Sequence, residues 1–330
     1  MHLIRPERTI EIPLKFGIGG TVTIRRRDMR TGELDLVRES KPNMILDKWV
    51  KEYLTINRTG GFRPFLSSSS GSAVTNSHAI SSSTTAITTS TTSLTDVLAS
   101  TETITRGSLI WDGDHKIKRS FSSAFPAGVG TGTVNTVAVR DNWNTYVAMQ
   151  SVSPGIEKGE YHQLEVEWTF SLGRSPSWDG TIVNGQVSGD VDISWVATVR
   201  DSDLVRIGTN PSATIPQVLG DNRYIAVGDS NAATNMEGDG YTLEGSSLFA
   251  GKPPLFTADE YVDHTWERTW RVGFDIQHAN GDIGEVIYGY VWSSIDRPIF
   301  RMTFNPKLAK ADNYRLFLDF KFSYEDVNAT

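Results

Sequence analysis

The sequence predicts a mainly β chain: two related antiparallel β-sandwich-like modules preceded by a small β meander and one amphipathic helix. Three observations carry this. Apolar and polar residues alternate through most of the chain, with turn residues between the alternating runs. Only one stretch has strong helical spacing, and no regular alternation of strands and helices follows it. Finally, the C-terminal half repeats an earlier one. Arg119-Ser-Phe-Ser-Ser-Ala-Phe and Gly132-Thr-Val-Asn-Thr-Val-Ala recur 149 positions later, as Arg268-Thr-Trp-Arg-Val-Gly-Phe and Gly281-Asp-Ile-Gly-Glu-Val-Ile. Leu164-Glu-Val-Glu-Trp-Thr-Phe170 and Leu316-Phe-Leu-Asp-Phe-Lys-Phe322 correspond at an offset of 152.

The elements follow in order. Residues 9–16 alternate as a strand, Gly17-Ile-Gly-Gly20 reads as a turn, and residues 21–27 form a second strand. Thr31-Gly32 turns into a third strand over 33–37, which completes the meander. Arg25, Arg26, Arg27 and Arg30 form a basic cluster, answered by Asp28, Glu33, Asp35 and Glu39. The reading is a solvated face with cross-strand ion pairs. Residues 43–54 are the best helix: Pro42 and Asn43 suit its start, and Ile45, Trp49, Val50, Tyr53 and Leu54 share one stripe. From Ser67 to Thr95 serine and threonine dominate, with too little apolar surface to offset ordering entropy alone. That composition suits a flexible segment or β structure paired with neighbouring chains.

Strand patterns then continue at 108–111, 116–121, 133–139, 164–170, 187–199, 224–227, 266–276, 286–292 and 314–324. Turn signals stand at Asp112-Gly, Asp179-Gly, Ser188-Gly-Asp, Gly238-Asp-Gly and Asn280-Gly-Asp. The resulting organisation is a meander plus helix as a docking element (1–66), a Ser/Thr-rich linker or extended segment (67–105), a first β module (106–200) and a related second one (201–330).

At 330 residues the chain can bury more than one domain's core. Its net charge of -7 repels phosphate on average, so no nucleic-acid partner is expected. Cysteine is absent, which excludes disulfides and thiolate chemistry and leaves the compartment open. The opening Met-His-Leu-Ile-Arg-Pro-Glu-Arg has no basic region followed by an apolar run, so no secretory leader is expected. No apolar run is long enough to span a bilayer, so no membrane insertion is expected either.

The order of several pieces resembles tailed-bacteriophage virion structural proteins. They are Asn43-Met-Ile-Leu46, Val227-Gly-Asp-Ser230, Tyr241-Thr-Leu243, Arg268 to Phe274, Gly281 to Val286, Arg297-Pro-Ile299 and Tyr314 to Phe322. In the first copy Leu66-Ser-Ser-Ser-Ser-Gly-Ser72 stands near the place of the Val-Gly-Asp-Ser piece. The resemblance implies a tail, collar, baseplate or fibre component, made in the host cytoplasm and located in the virion. It implies a homo-oligomer contacting neighbouring virion proteins. A receptor-binding protein recognising a bacterial surface glycan is the alternative.

Candidate chemistry is sparse. Gly228-Asp229-Ser230-Asn231 looks like an esterase nucleophile block, and Asp275 and His278 supply an acid and a base, but the α/β framework for such a triad is missing. A β-turn is the simpler reading. Asp112/Asp114, Asp190/Asp192, Asp201/Asp203 and Glu237/Asp239 flank turns without an EF-hand spacing. His2, His78, His115, His162, His264 and His278 form no zinc motif. No catalytic, metal or cofactor residue is therefore assigned. Among nine tryptophans, Trp168, Trp195 and Trp270 read as core or subunit-interface residues. Trp111, Trp143, Trp178 and Trp292 lie beside polar residues and read as assembly or ligand contacts.

Overall fold

The structure is a computed structural model that describes residues 7–42, 44–54, 66–67, 76–141, 144–174, 178–182, 192–209, 223–232, 242–258, 265–292 and 295–326. The chain opens with one long strand, β1 (Glu7–Asp28), and a returning strand, β2 (Leu34–Pro42). The first module runs β3 (Met44–Ile45), α1 (Asp47–Leu54), β4 (Ser77–Ser81), β5 (Val97–Thr101), β6 (Thr105–Arg106), β7 (Ile110–Trp111), β8 (Lys116–Phe125), β9 (Gly132–Arg140), β10 (Tyr146–Lys158) and β11 (His162–Arg174). The second runs β12 (Trp178–Ile182), β13 (Ile193–Val199), α2 (Asp201–Thr209), β14 (Arg223–Gly228), β15 (Ser247–Gly251), β16 (Leu255–Ala258), β17 (Glu267–Phe274), β18 (Gly281–Trp292), β19 (Ile295–Lys310) and β20 (Arg315–Asp326).

These strands form three sheets, and the fold is mainly β and sandwich-like. A nine-stranded sheet has the order β16-β17-β20-β1-β11-β8-β6, with β2 beside β1 and β7 beside β8. A five-stranded sheet, β3-β10-β9-β4-β5, faces its first-module half, where the His78 ring lies 6.3 Å from that of Trp168. A six-stranded sheet, β12-β13-β19-β18-β14-β15, faces the other half, where Tyr288 and Phe300 lie 5.1 and 5.3 Å from Phe320. The alternation read from sequence is what drives this: β8, β11, β17 and β20 each turn one face into the core.

Strand register bears out the duplication. Phe170 pairs with Arg119 and Leu164 with Phe125; at the repeat offsets Phe322 pairs with Arg268 and Leu316 with Phe274. Gly132 faces Lys158 as Gly281 faces Lys310. Ala79 of β4 faces Ala138 as Ala226 of β14 faces Ile287. The core has traded side chains across the sheet: Phe121 faces Trp168 in the first module, and Trp270 faces Phe320 in the second, all buried. Such an exchange conserves volume. Lys158 and Lys310 are also equivalent. Each buries its stem and donates from Nζ to carbonyls of the adjacent turns: Pro126 and His162 for Lys158, Asp275 and Ala311 for Lys310. Burial pulls both ammonium groups below the ordinary lysine range.

β1 belongs to both modules. Residues 7–18 run parallel to β20, and residues 16–28 run antiparallel to β11. The equivalent strands β11 and β20 therefore run opposite to each other, and the modules are related by an approximate two-fold near Gly17 and Ile18, where both flank β1. A reciprocal clasp reinforces this. Asp47, at the start of α1, accepts a hydrogen bond from Trp266 Nε1 at 2.6 Å. Asp201, at the start of α2, accepts from His115 Nδ1 and Arg174 Nη2, both at 2.8 Å. Trp266 and His115 each precede a first core strand with φ of 54° and 57°, in the left-handed region. Side chains rarely adopt it unless the surroundings hold them there.

Several expectations are corrected. Gly17-Ile-Gly-Gly20 is not a turn: β1 runs straight through it, because residues 16–20 pair with 174–170 of β11 and keep the backbone extended. Asp179-Gly180 lies within β12, where a Cβ on Gly180 would sit 2.8 Å from the Trp195 ring. The helix begins at Asp47 rather than at Asn43, since Met44 and Ile45 pair with β10 first. A second helix, α2, occupies the corresponding place after β13.

Strand pairing also draws the modules differently from the sequence boundaries. α1 and β3 sit against β10, and β12 and β13 join the second module's sheet through β19. The Ser/Thr-rich stretch supplies β4, β5 and the ordered loop between them. There hydroxyls do the work of apolar packing: Ser81 Oγ donates to the Thr95 carbonyl, Thr95 Oγ1 to Ser83 Oγ, and Thr136 Oγ1 to the Ser83 carbonyl. β4 also takes the place of β14, so Ile80-Ser81 stands where Val227-Gly228 does, while residues 68–72 lie outside the described residues.

Candidate functional site

A groove of about 590 Å³ lies on the first module. β8 reads Ser122-Ser123-Ala124-Phe125, and the period of two turns Ser123 and Phe125 into the core while Ser122 and Ala124 face out. On the same outer face, register sets Glu167 beside Ser122, Glu165 beside Ala124, and Arg25 of β1 beside Glu165. Ser100, Thr101, Thr103 and Thr105, from the end of β5 and the segment into β6, line the groove across from them. Pro126 and Val129 of the β8–β9 turn close one end.

The charges here are held in place. Arg25 Nη1 donates to Glu167 Oε2 at 2.8 Å, Arg27 Nε lies 4.0 Å from Glu165, and Gln163 Nε2 donates to Glu165 Oε1 at 3.1 Å. Beyond the groove the basic cluster continues in the same manner, with Arg26 forked onto Asp35 and Arg30 onto Asp28. These guanidinium partners hold both aspartates below the usual carboxylate range. The expected cross-strand ion pairs are present, although two of the four acidic partners, Glu165 and Glu167, come from β11. Beneath the groove, Ser123 Oγ lies 2.7 Å from His78 Nδ1, and the imidazole is fully buried with Nε2 unbonded. Burial, with Arg106 nearby, pushes His78 down to about 3.

The four singled-out tryptophans do not converge. Trp111 sits on the edge strand β7 and is 48% exposed. Trp178 is buried: its ring meets Phe16 edge-on at 5.3 Å and Nε1 donates to the Lys15 carbonyl. It is a core residue and not a ligand contact, because β12 lays it against β1. Trp143 lies outside the described residues, as does the side chain of Trp292 at the end of β18. Trp168, Trp195 and Trp270 are buried as expected.

The esterase-like block resolves into local structure. Asp229 Oδ1 accepts from the Ser246 amide, and Ser230 Oγ accepts from the Ala232 amide. Gly228 is required by a close approach, since a Cβ there would lie 2.6 Å from Glu285 Oε1. Glu285 is buried, accepts the amides of Glu244 and Gly245, and pairs with buried Arg301 at 2.5 Å. Asp275 accepts from the Ile276 amide and Arg315, while His278 packs edge-on against Phe249. The acidic turns are answered by cations: Asp112 by Lys116 and Lys118, Asp203 by Arg200 and Arg206. Among the described residues no group of three or more His, Asp or Glu is arranged around a metal position. Asp190, Glu237 and Asp239 lie outside them.

Sequence reading missed Ser122, Glu165 and Glu167 as groove residues. The signal was in the repeat: at these positions the first copy has Ser and Glu where the second has Arg271, Phe317 and Asp319. No protein-family model, curated protein or solved structure matches this chain.

Proposed function

We propose that this chain is a noncatalytic structural component of a tailed-phage virion, assembling as an oligomer in the tail or neck region. The observation that carries the assembly reading is where apolar surface is left open. Among the described residues, Leu34 and Val37 on β2, Val97 on β5, and Ile110 and Trp111 on β7 are large, apolar and more than two-fifths exposed. Among the described residues each of these strands pairs on one side only. Open apolar edges template strand addition by another chain, and monomeric proteins blunt them with charge. The placement in a virion rests on the ordered sequence pieces from Asn43 to Phe322.

Light scattering on the purified chain tests the assembly reading. An oligomer is expected, and Ile110→Lys with Trp111→Lys shifts it toward monomer while leaving the melting temperature near that of the parent. A parent that is monomeric at all concentrations sinks this reading. Cryo-electron microscopy of the particle tests the location: the chain is expected in a symmetric ring of the tail or neck.

A second reading, recognition of a bacterial surface glycan, is favoured by one feature, the hydroxyl-lined groove of the first module.

A further inference from the structure

We infer that the groove of the first module is a binding site for a neutral oligosaccharide. The second module provides the internal comparison. Where Ser122 faces Glu167, Arg271 faces Asp319; where Ala124 faces Glu165, Gly273 faces Phe317. Thr105 pairs with Ser122 as Thr257 pairs with Arg271, so Thr103 holds the place of Leu255. In the second module these positions are filled. Arg271 forks onto Asp319 at 2.8 and 2.7 Å and lies 5.3 Å from the centre of the Phe317 ring. A Cβ on Gly273 would lie 2.5 Å from Phe317 and 2.9 Å from Leu255. The same register thus folds with this face closed, and nothing in the fold requires the opening in the first module. The opening comes from the smaller Ser122 and Thr103 and from Glu165 in place of an aromatic ring.

The lining selects the ligand class. Hydroxyls of Ser100, Thr101, Thr103, Thr105 and Ser122 both donate and accept, as sugar hydroxyls do. The Arg25–Glu167 pair presents a fixed donor and a fixed acceptor side by side, with side chains 36% and 33% exposed. The pair is internally neutralised and the second carboxylate, Glu165, is answered by Arg27 at 4.0 Å, so the groove offers hydrogen bonds with little net field, which favours an uncharged ligand over an ionic one. Ala124, Pro126 and Val129 give apolar surface for the carbon face of a sugar ring. The volume falls within the range of small-ligand sites, roughly 300–1,000 Å³.

This inference deepens the glycan-recognition reading and is independent of assembly, so its failure leaves the oligomer reading untouched. Ligand-observed NMR and calorimetric titration of the full chain with maltotriose, mannotriose and chitotriose test it, with an uncharged-terminus Ala-Arg-Ala peptide alongside. Ser122→Arg installs the residue of the second module opposite Glu167, and Ala124→Leu fills the groove from an exposed position. At least one trisaccharide is expected to bind the parent, and each folded variant to weaken that binding by about tenfold or more. Three results each overturn the inference: no trisaccharide bound at concentrations up to about 10 mM, unchanged affinity in both variants, or binding of the arginine peptide alone.

Discussion

Replacing His78 and Ser123 together by Ile and Val installs the residues that the second module carries at the equivalent positions, Ile225 and Val272. The exchange removes a buried imidazole whose Nδ1 meets Ser123 Oγ and whose Nε2 has no partner. Folded His78 titrates near 3, against 6.5 for an unperturbed histidine, so between those values the unfolded chain holds one more proton than the folded one. Stability then falls as pH drops through this window and is fully retained above it. At about pH 4.5, two units below the unfolded value, the single ring removes about 2 to 3 kcal/mol. Carboxylates held low by cations, such as Asp28, Asp35 and Asp112, add their own acid dependence, but they are present in parent and variant alike. Urea unfolding of both proteins at about pH 7.5 and pH 4.5 isolates the histidine. The parent is expected to lose about 2 to 3 kcal/mol more than the variant on acidification. Equal losses would refute the reasoning, because they would mean that His78 is protonated in the fold or reached by water.

The duplication supplies further experiments of the same kind. Arg301→Met alone strands the buried carboxylate of Glu285 and is expected to cost about 3 to 5 kcal/mol in urea unfolding. Adding Glu285→Thr, which with Arg301→Met installs the first module's Thr136 and Met149 at the equivalent positions, should recover more than half of that loss. Trp266→Phe removes the indole donor to Asp47 while keeping a ring, and a loss of about 1 to 2 kcal/mol is expected in the same measurement.

Much of the fold was legible because its core strands alternate cleanly and recur. β8, β11, β17 and β20 announce themselves as apolar–polar runs, and their shared spacing gives the duplication. β10 and β19 carry Pro154 and Pro306, a residue that strand interiors usually exclude; the interrupted ladder between Ser151 and Ile156 accommodates Pro154, and the break between Thr303 and Leu308 accommodates Pro306. β4 and β5 were masked by hydroxyl-rich neighbours, since composition cannot tell a free tether from a loop whose hydroxyls bond its own backbone. Gly17–Gly20 misled for another reason. Glycine usually marks a turn through positive φ, yet here it lies where one strand changes partners. The groove was illegible as a motif because it is built from small residues; only setting Ser122 against Arg271 and Glu165 against Phe317 exposes it.

Strand β1 has a consequence for how the chain acquires its structure. It leaves the ribosome before the other strands described, but one stretch of it must wait for residues 162–174 and another for residues 315–326. The pairing with residues 315–326 is among the longest sequence separations the chain allows, and loop closure over such distances is slow. During synthesis the first module can complete its own sheet around the second half of β1, while Glu7 to Lys15 has no strand to pair with until β20 arrives. The register predicts folding in the order first module, second module, then closure across the two-fold. The segment Thr9 to Lys15, alternately apolar and bare until that last step, is where a nascent chain is most open to a chaperone or to mispairing with another copy.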